Sequence, residues 1–252
     1  MKVLITRAIG PAQLTANHLS AAGHEAVLLP IVEYNNLLPS EADGEILSRY
    51  FEGIAFTSVA AVHALKARIP EPTVLNRLRE LPAFCVGGKT GEAAREAGFG
   101  KCHVAEGNIA SLAVLINSAF DGETDNTRRI LYPAPRHKHE NLADLLDKLI
   151  VDELTVYEAR LVDPGRQKLK STLNDVADGA AFFYSRRTAS HFFSLMQKHE
   201  LRALPKKMRI VAISQNVADI VRQSAQISGN QVIAVPNTPH EEGMISCLST
   251  FE

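Results

Sequence analysis

The chain has 252 residues, 46% of them apolar, and a formal net charge of −1. It is long enough for two ordinary domains and too apolar for a disordered one. The mixed charges leave no electrostatic footprint for nucleic acid. Cys85, Cys102 and Cys247 are an odd, sparse set, a poor disulfide framework that points to a reducing compartment. No window approaches the roughly 20 apolar residues of a membrane span, and the apolar run in MKVLITRAIG is too short for a signal peptide. The expectation is a cytoplasmic protein with neither nucleic acid nor membrane as partner.

In chain order, Val3–Thr6 reads as a strand, and Pro11–Ala22 as a helix with Gly23 at its end. Strand runs follow at Ala26–Leu29, Ile54–Phe56, Phe84–Val86, Ile130–Tyr132, Ala181–Phe183, Ile210–Ile213 and Val232–Val235. Helical patterns begin after several of them, at Val59, at Lys89 and at Arg136. This βαβα rhythm predicts an α/β protein with parallel sheets. The stretches 30–39 and 154–164 each end in Pro and partly alternate polar with apolar residues, as an exposed two-stranded ribbon would.

A shift of 127 residues superposes the two halves. Val3-Leu4-Ile5 falls on Ile130-Leu131-Tyr132, and Ala55-Phe56-Thr57-Ser58 on Phe182-Phe183-Tyr184-Ser185. Phe84-Cys85-Val86-Gly87 falls on Val211-Ala212-Ile213-Ser214, and Val27 on Leu154. A constant offset over separate strands argues for duplication. The expected architecture is two similar parallel-sheet domains joined by a two-stranded β linker. Domain 1 takes residues 1–33 and 163–252, domain 2 takes 39–154, and the linker strands are 34–38 and 155–162.

Candidate sites cluster where strands end, because ligands of open α/β sheets bind beyond the carboxyl edge. Ser58 and Ser185 stand at such ends, either as plain helix caps or as caps flanking an anion site. Val86-Gly87-Gly88-Lys89-Thr90-Gly91 is not a P-loop: Ala83 occupies the position of its first Gly. It remains a Gly-rich turn opening a helix, with Lys89 and Thr90 at its start. Arg136-His137-Lys138-His139, Arg186-Arg187 and Thr6-Arg7 put cations near strand ends, as solvated turns or as an anion site. His137 and His139 are two apart and lack a third ligand, so no metal is expected. Tyr157 on the second connector is either a proton donor or a packing aromatic.

Phe56-Thr57-Ser58, Val86-Gly87-Gly88-Lys89-Thr90, Val156-Tyr157-Glu158-Ala159, Phe183-Tyr184-Ser185 and Val211-Ala212-Ile213, in this order, resemble the signatures of uroporphyrinogen-III synthases. The resemblance runs from Lys2 to the C-terminus. It implies a cofactor-free cyclisation of hydroxymethylbilane, with inversion of the last ring and loss of water. The expected partner is the tetrapyrrole substrate, and the chain is expected to be a monomer. It implies Tyr157 as the group assisting loss of the hydroxyl. Thr6, Arg7, Ser58, Thr90, Ser185 and Asn216, with Lys89 and Arg136, become expected substrate contacts. The chain departs from the family pattern at Ser214-Gln215-Asn216-Val217-Ala218, where Val217 replaces a Thr, and at Ala134-Pro135-Arg136. A hinged two-lobe binding protein for a small anion is the competing reading.

Overall fold

The computed structural model describes residues 1–121, 127–138, 140–201, 203–224 and 231–251. The chain begins with β1 (Lys2–Ile5), α1 (Ile9–Ala21), β2 (Glu25–Leu28) and β3 (Val32–Asn36). It continues through α2 (Glu41–Leu47), β4 (Gly53–Phe56), α3 (Val59–Arg68), α4 (Pro72–Arg79), β5 (Ala83–Val86), α5 (Gly88–Glu96), β6 (Cys102–Ala105) and α6 (Ile109–Ala119). The second half holds β7 (Arg129–Pro135), β8 (Ile150–Leu161), α7 (Arg166–Asp175), β9 (Ala180–Phe183) and α8 (Arg186–Lys198). It closes with β10 (Arg209–Ala212), α9 (Gln215–Ser224), β11 (Ile233–Ala234) and α10 (Glu241–Ser246). None of these helices is long and apolar enough to cross a membrane.

These elements form two units, Met1–Glu33 with Arg160–Glu252, and Tyr34–Ala159. The first holds a five-stranded sheet in the order β11-β10-β9-β1-β2, and the second a six-stranded sheet in the order β3-β8-β7-β4-β5-β6. Apart from β3 with β8, neighbouring strands in both sheets pair in parallel. The chain passes between the units along β3 and β8. Leu37 N–H donates to Val156, and Val162 N–H to Ile31, so these two strands run in opposite directions.

Each central parallel strand is buried on both faces, which explains its unbroken apolar run. In the first unit Leu4, Ala181, Phe183 and Ile210 enter one core cluster, while Val3, Ile5, Phe182 and Val211 enter another. In the second unit Ile54, Phe56, Cys85 and Leu131 alternate in the same way with Ala55, Phe84, Ile130 and Tyr132. Alternation of one residue per face follows from the two-residue repeat of the strand.

The pairing registers carry the 127-residue offset. Ile54 pairs Ala83 as Ala181 pairs Ile210, and Ile54 pairs Leu131 as Ala181 pairs Leu4. Each sequence half therefore gives its first two strands to one sheet and its remaining strands to the other. The offset fails at β2 and β8. Leu4 pairs Val27, but Leu131 pairs Asp152, so Asp152 is the counterpart of Val27 and the superposition on Leu154 is two residues out.

The turn after β7 also differs from expectation: no helix starts at Arg136. Pro133 and Pro135 hold the chain extended, and each disfavours the helical region for the residue before it. β7 therefore runs on to Pro135 through a register shift at Ala134, and Arg136 N–H still reaches the Tyr157 carbonyl at 2.8 Å. Helical geometry returns only in the 3-10 turn Leu142–Leu145. His139 lies outside the described residues.

Candidate functional site

Thr57 and Ser58 leave β4 at its carboxyl end, and each meets a tyrosine, one from the neighbouring β7 and one from β8 beyond it. Thr57 Oγ1 lies 3.3 Å from the hydroxyl of Tyr132 on β7. Ser58 Oγ lies 3.0 Å from the hydroxyl of Tyr157 on β8. Both tyrosines are nearly fully buried, and burial pushes both phenols above their ordinary pKa, with the Thr57 and Ser58 hydrogen bonds pulling the other way. The Tyr157 ring also meets Tyr34 of β3 edge-on, with centroids 5.7 Å apart. Lys138 lies 5.8 Å above the Tyr132 ring and pairs with Glu153; burial lowers its ammonium pKa.

Ser58 does two jobs with one oxygen. It is the N-cap of α3, and its Oγ accepts the Ala61 N–H at 3.1 Å. One proton and a second lone pair let the Ser58–Tyr157 bond run in either direction. With Ser58 as the donor, the Tyr157 proton is free for a third group. Ser185 caps α8 in the matching way, accepting the Thr188 N–H at 3.1 Å, but it donates its proton to Thr188 Oγ1 at 2.9 Å. The second serine is thus closed upon its own helix.

The pair gives a discriminating test. Ser58→Ala and Ser185→Ala each lose a cap, costing about 1 kcal/mol. Only Ser58→Ala also removes the hydrogen bond to Tyr157, so only it is expected to lower turnover several-fold at matched folded fraction. Urea unfolding beside initial rates separates the two effects. Equal rate losses in both variants would remove the Ser58–Tyr157 hydrogen bond from the chemistry.

The remaining expected residues fall into two sets. In the second unit Thr90 is buried, and Lys89 is exposed, in the first turn of α5, whose Gly87 cap has φ +75°. The Gly91 position of the same turn is open to glycine alone, because a Cβ would lie 2.6 Å from Val104. Arg136 is exposed and held by Glu158 at 2.7 Å. In the first unit Thr6 ends β1 fully buried, and its hydroxyl has no hydrogen-bond partner among the described residues. Arg7 follows it, with its guanidinium 4.1 Å over the Tyr184 ring. Asn216 is exposed on the first turn of α9, beside the buried Val217.

The structure joins Tyr157 to Ser58 by side chain and to Arg136 by backbone. Among the described residues no hydrogen bond joins Lys89 or Thr90 to that pair. Concavities along α8 and beside α4 contain none of the set. Among the described residues no group of three His, Cys, Asp or Glu could hold a metal. Tyr132, Tyr184 and Glu241 were not anticipated. The signal for Tyr184 was available, since the repeat puts it on Thr57, the residue that binds the other tyrosine.

A family model described as uroporphyrinogen-III synthase HemD matches residues 13–246. No curated protein sequence matches significantly. Among solved structures, uroporphyrinogen-III synthetase from Helicobacter pylori is 15% identical, with 100% of this chain and 99% of that one covered and a TM-score of 0.65. A mutant uroporphyrinogen III synthase from the extremely thermophilic bacterium Thermus thermophilus is 17% identical over 100% and 98% of the two chains, with a TM-score of 0.53. Identities this low carry the fold and no residue roles. The family match covers most of the chain, and the chain belongs to the uroporphyrinogen-III synthase family of tetrapyrrole-forming enzymes.

Proposed function

We propose that this chain closes hydroxymethylbilane to uroporphyrinogen III, inverting the last pyrrole ring and releasing water, as a cytoplasmic monomer without a cofactor. The observation that carries the reading is the Ser58–Tyr157 hydrogen bond at the start of α3. As the C–O bond of the hydroxymethyl group breaks, electrons from the pyrrole nitrogen replace those the oxygen takes. Tyr157 gives its proton to the departing hydroxyl, which leaves as water. The developing phenolate is met by the Ser58 proton and by the positive end of α3.

Inversion requires the bond between the last ring and its neighbour to break and to re-form at that ring's other α-carbon, while the hydroxymethyl carbon bonds to the carbon so released. The proton displaced from the ring's free α-carbon restores Tyr157 and balances the cycle. Burial keeps the phenol protonated at neutral pH, the state an acid must start from. The substrate carries an acetate and a propionate on each ring, eight carboxylates that need donors spread over a wide area. Thr6, Arg7, Lys89, Thr90, Arg136 and Asn216 are the proposed donors, and Ser185, whose proton goes to Thr188, contributes as the cap of α8. Backbone N–H groups at the starts of α5, α8 and α9 add to them. Positioning of the last ring then supplies much of the acceleration.

The test supplies hydroxymethylbilane, oxidises the product and separates the porphyrin isomers. An excess of type III over the type I product of spontaneous closure supports the synthase. Type I alone, from folded protein, overturns it and leaves a binding protein for a small anion.

A further inference from the structure

Arg7 is one of the proposed carboxylate donors, and its placement depends on Glu241, at the far end of the chain. The guanidinium stacks on the Tyr184 ring at 4.1 Å, a cation–π geometry. Its Nη1 donates to Thr15 Oγ1 at 3.3 Å and lies 3.8 Å from Glu241 Oε2. The Tyr184 hydroxyl donates to the other carboxylate oxygen, Glu241 Oε1, at 3.4 Å. His18 Nδ1 of α1 lies 3.7 Å from Oε2. Glu241 thus holds both the stacking ring and the stacked cation.

Glu241 is itself firmly placed. It opens α10, whose Met244 is fully buried in the first unit's core. Gly243 stands where a Cβ would lie 2.7 Å from the Thr238 carbonyl, so the turn into α10 closes tightly on itself. Tyr184 is fixed from beneath by Phe182, with ring centroids 6.2 Å apart. Both Arg7 contacts use Nη1, and the other terminal nitrogen takes part in neither. The side chain remains 30% exposed, enough to meet a ligand at the carboxyl edge of β1.

An unrestrained arginine loses rotamer freedom when it grips a ligand. One already held between a ring and a carboxylate has lost most of that beforehand. We propose that Glu241 is a positioning residue that orders Arg7 and Tyr184 into a preformed site for one substrate carboxylate. The proposal deepens the synthase reading and rests on it.

The test is a double-variant cycle on the full chain, with kcat and KM for hydroxymethylbilane measured separately by isomer analysis. Glu241→Gln keeps the shape and removes the charge, and is expected to raise KM about fivefold with kcat within twofold. Arg7→Met raises KM by more. Because Glu241 acts through Arg7, the double variant matches Arg7→Met alone, a non-additivity that a merely structural residue does not produce. Glu241→Asp restores part of the loss. An unchanged KM in Glu241→Gln, or effects that multiply in the double variant, overturns the proposal while wild-type type III product leaves the synthase reading standing. No type III product from wild type removes both.

Discussion

Tyr157→Phe is expected to lower turnover by about a hundredfold, at the low end of what a lost general acid costs, with little change in KM. In the proposed mechanism the hydroxyl acts only as the leaving group departs, so its removal is expected to fall on the transition state and to spare ground-state binding. Phe suits the site: the ring packs in an apolar cluster with Leu154 and Val156 and meets Tyr34 edge-on. Ser58 keeps its capping bond from Ala61. The stability cost is then one hydrogen bond, about 1 kcal/mol. Initial rates of type III formation, corrected for spontaneous type I closure, provide the measurement. An unchanged rate would exclude Tyr157 as the acid.

The same geometry predicts how pH acts on this group. Burial raises the Tyr157 pKa, more than the Ser58 hydrogen bond lowers it. The acid form thus persists from neutrality to at least about pH 10, the ordinary phenol value. No inflection from Tyr157 appears in the rate profile below that pH.

The strand ends were legible in the sequence because the chemistry of a parallel sheet is repetitive. Apolar runs of four residues, a capping serine and a constant offset put Ser58 and Ser185 at equivalent N-caps. The offset also paired β4 with β9 in the register the sheets use. It went wrong at β2 and β8 because Val27 and Leu154 match in hydropathy, whereas the sheet pairs by position. The residue in that register is Asp152, an acid in a strand. Its partners Arg49 and Arg129 come from distant segments, so nothing local reveals why it is tolerated.

The edge strand β6 was missed for a related reason: Cys102-His103-Val104-Ala105 has only Ala105 buried, so its apolar signal is weak. In the site, Arg7 could be singled out by its place after a strand, and Tyr157 by its place on the second connector together with the family resemblance. Their partners could not, because Tyr184 reads as the tail of an apolar strand. Glu241 reads as one of two acids opening a short helix, and only tertiary contact gives them work.

Arg68→Met is expected to destabilise the second unit by about 3 kcal/mol, the lower bound for stranding a buried charge. Arg68 ends α3, the helix that Ser58 caps at its other end. Its Nε and Nη2 grip the two Asp43 oxygens at 2.5 and 2.8 Å, and its Nη1 reaches the Leu37 carbonyl at 2.8 Å. Both residues are over nine-tenths buried. Burial pushes the Asp43 pKa up, but the hydrogen bonds from Arg68 and Ser40 outweigh it and hold the carboxyl below its ordinary value of 3.8.

A lowered folded-state pKa means that this stability is present above the unfolded value and is lost as pH falls through the folded one. In Arg68→Met burial is opposed by the Ser40 hydrogen bonds alone, so the carboxyl pKa is expected to rise from its wild-type position. Relative to wild type, the variant is then penalised at neutrality and relieved as Asp43 takes up a proton. The gap in unfolding free energy between wild type and variant should therefore narrow from neutral pH toward about pH 4, the ordinary carboxyl range. Urea titrations at the two pH values decide it. A gap that does not change with pH would mean that Arg68 holds α3 by packing and its Leu37 hydrogen bond, and that the Asp43 charge does not contribute.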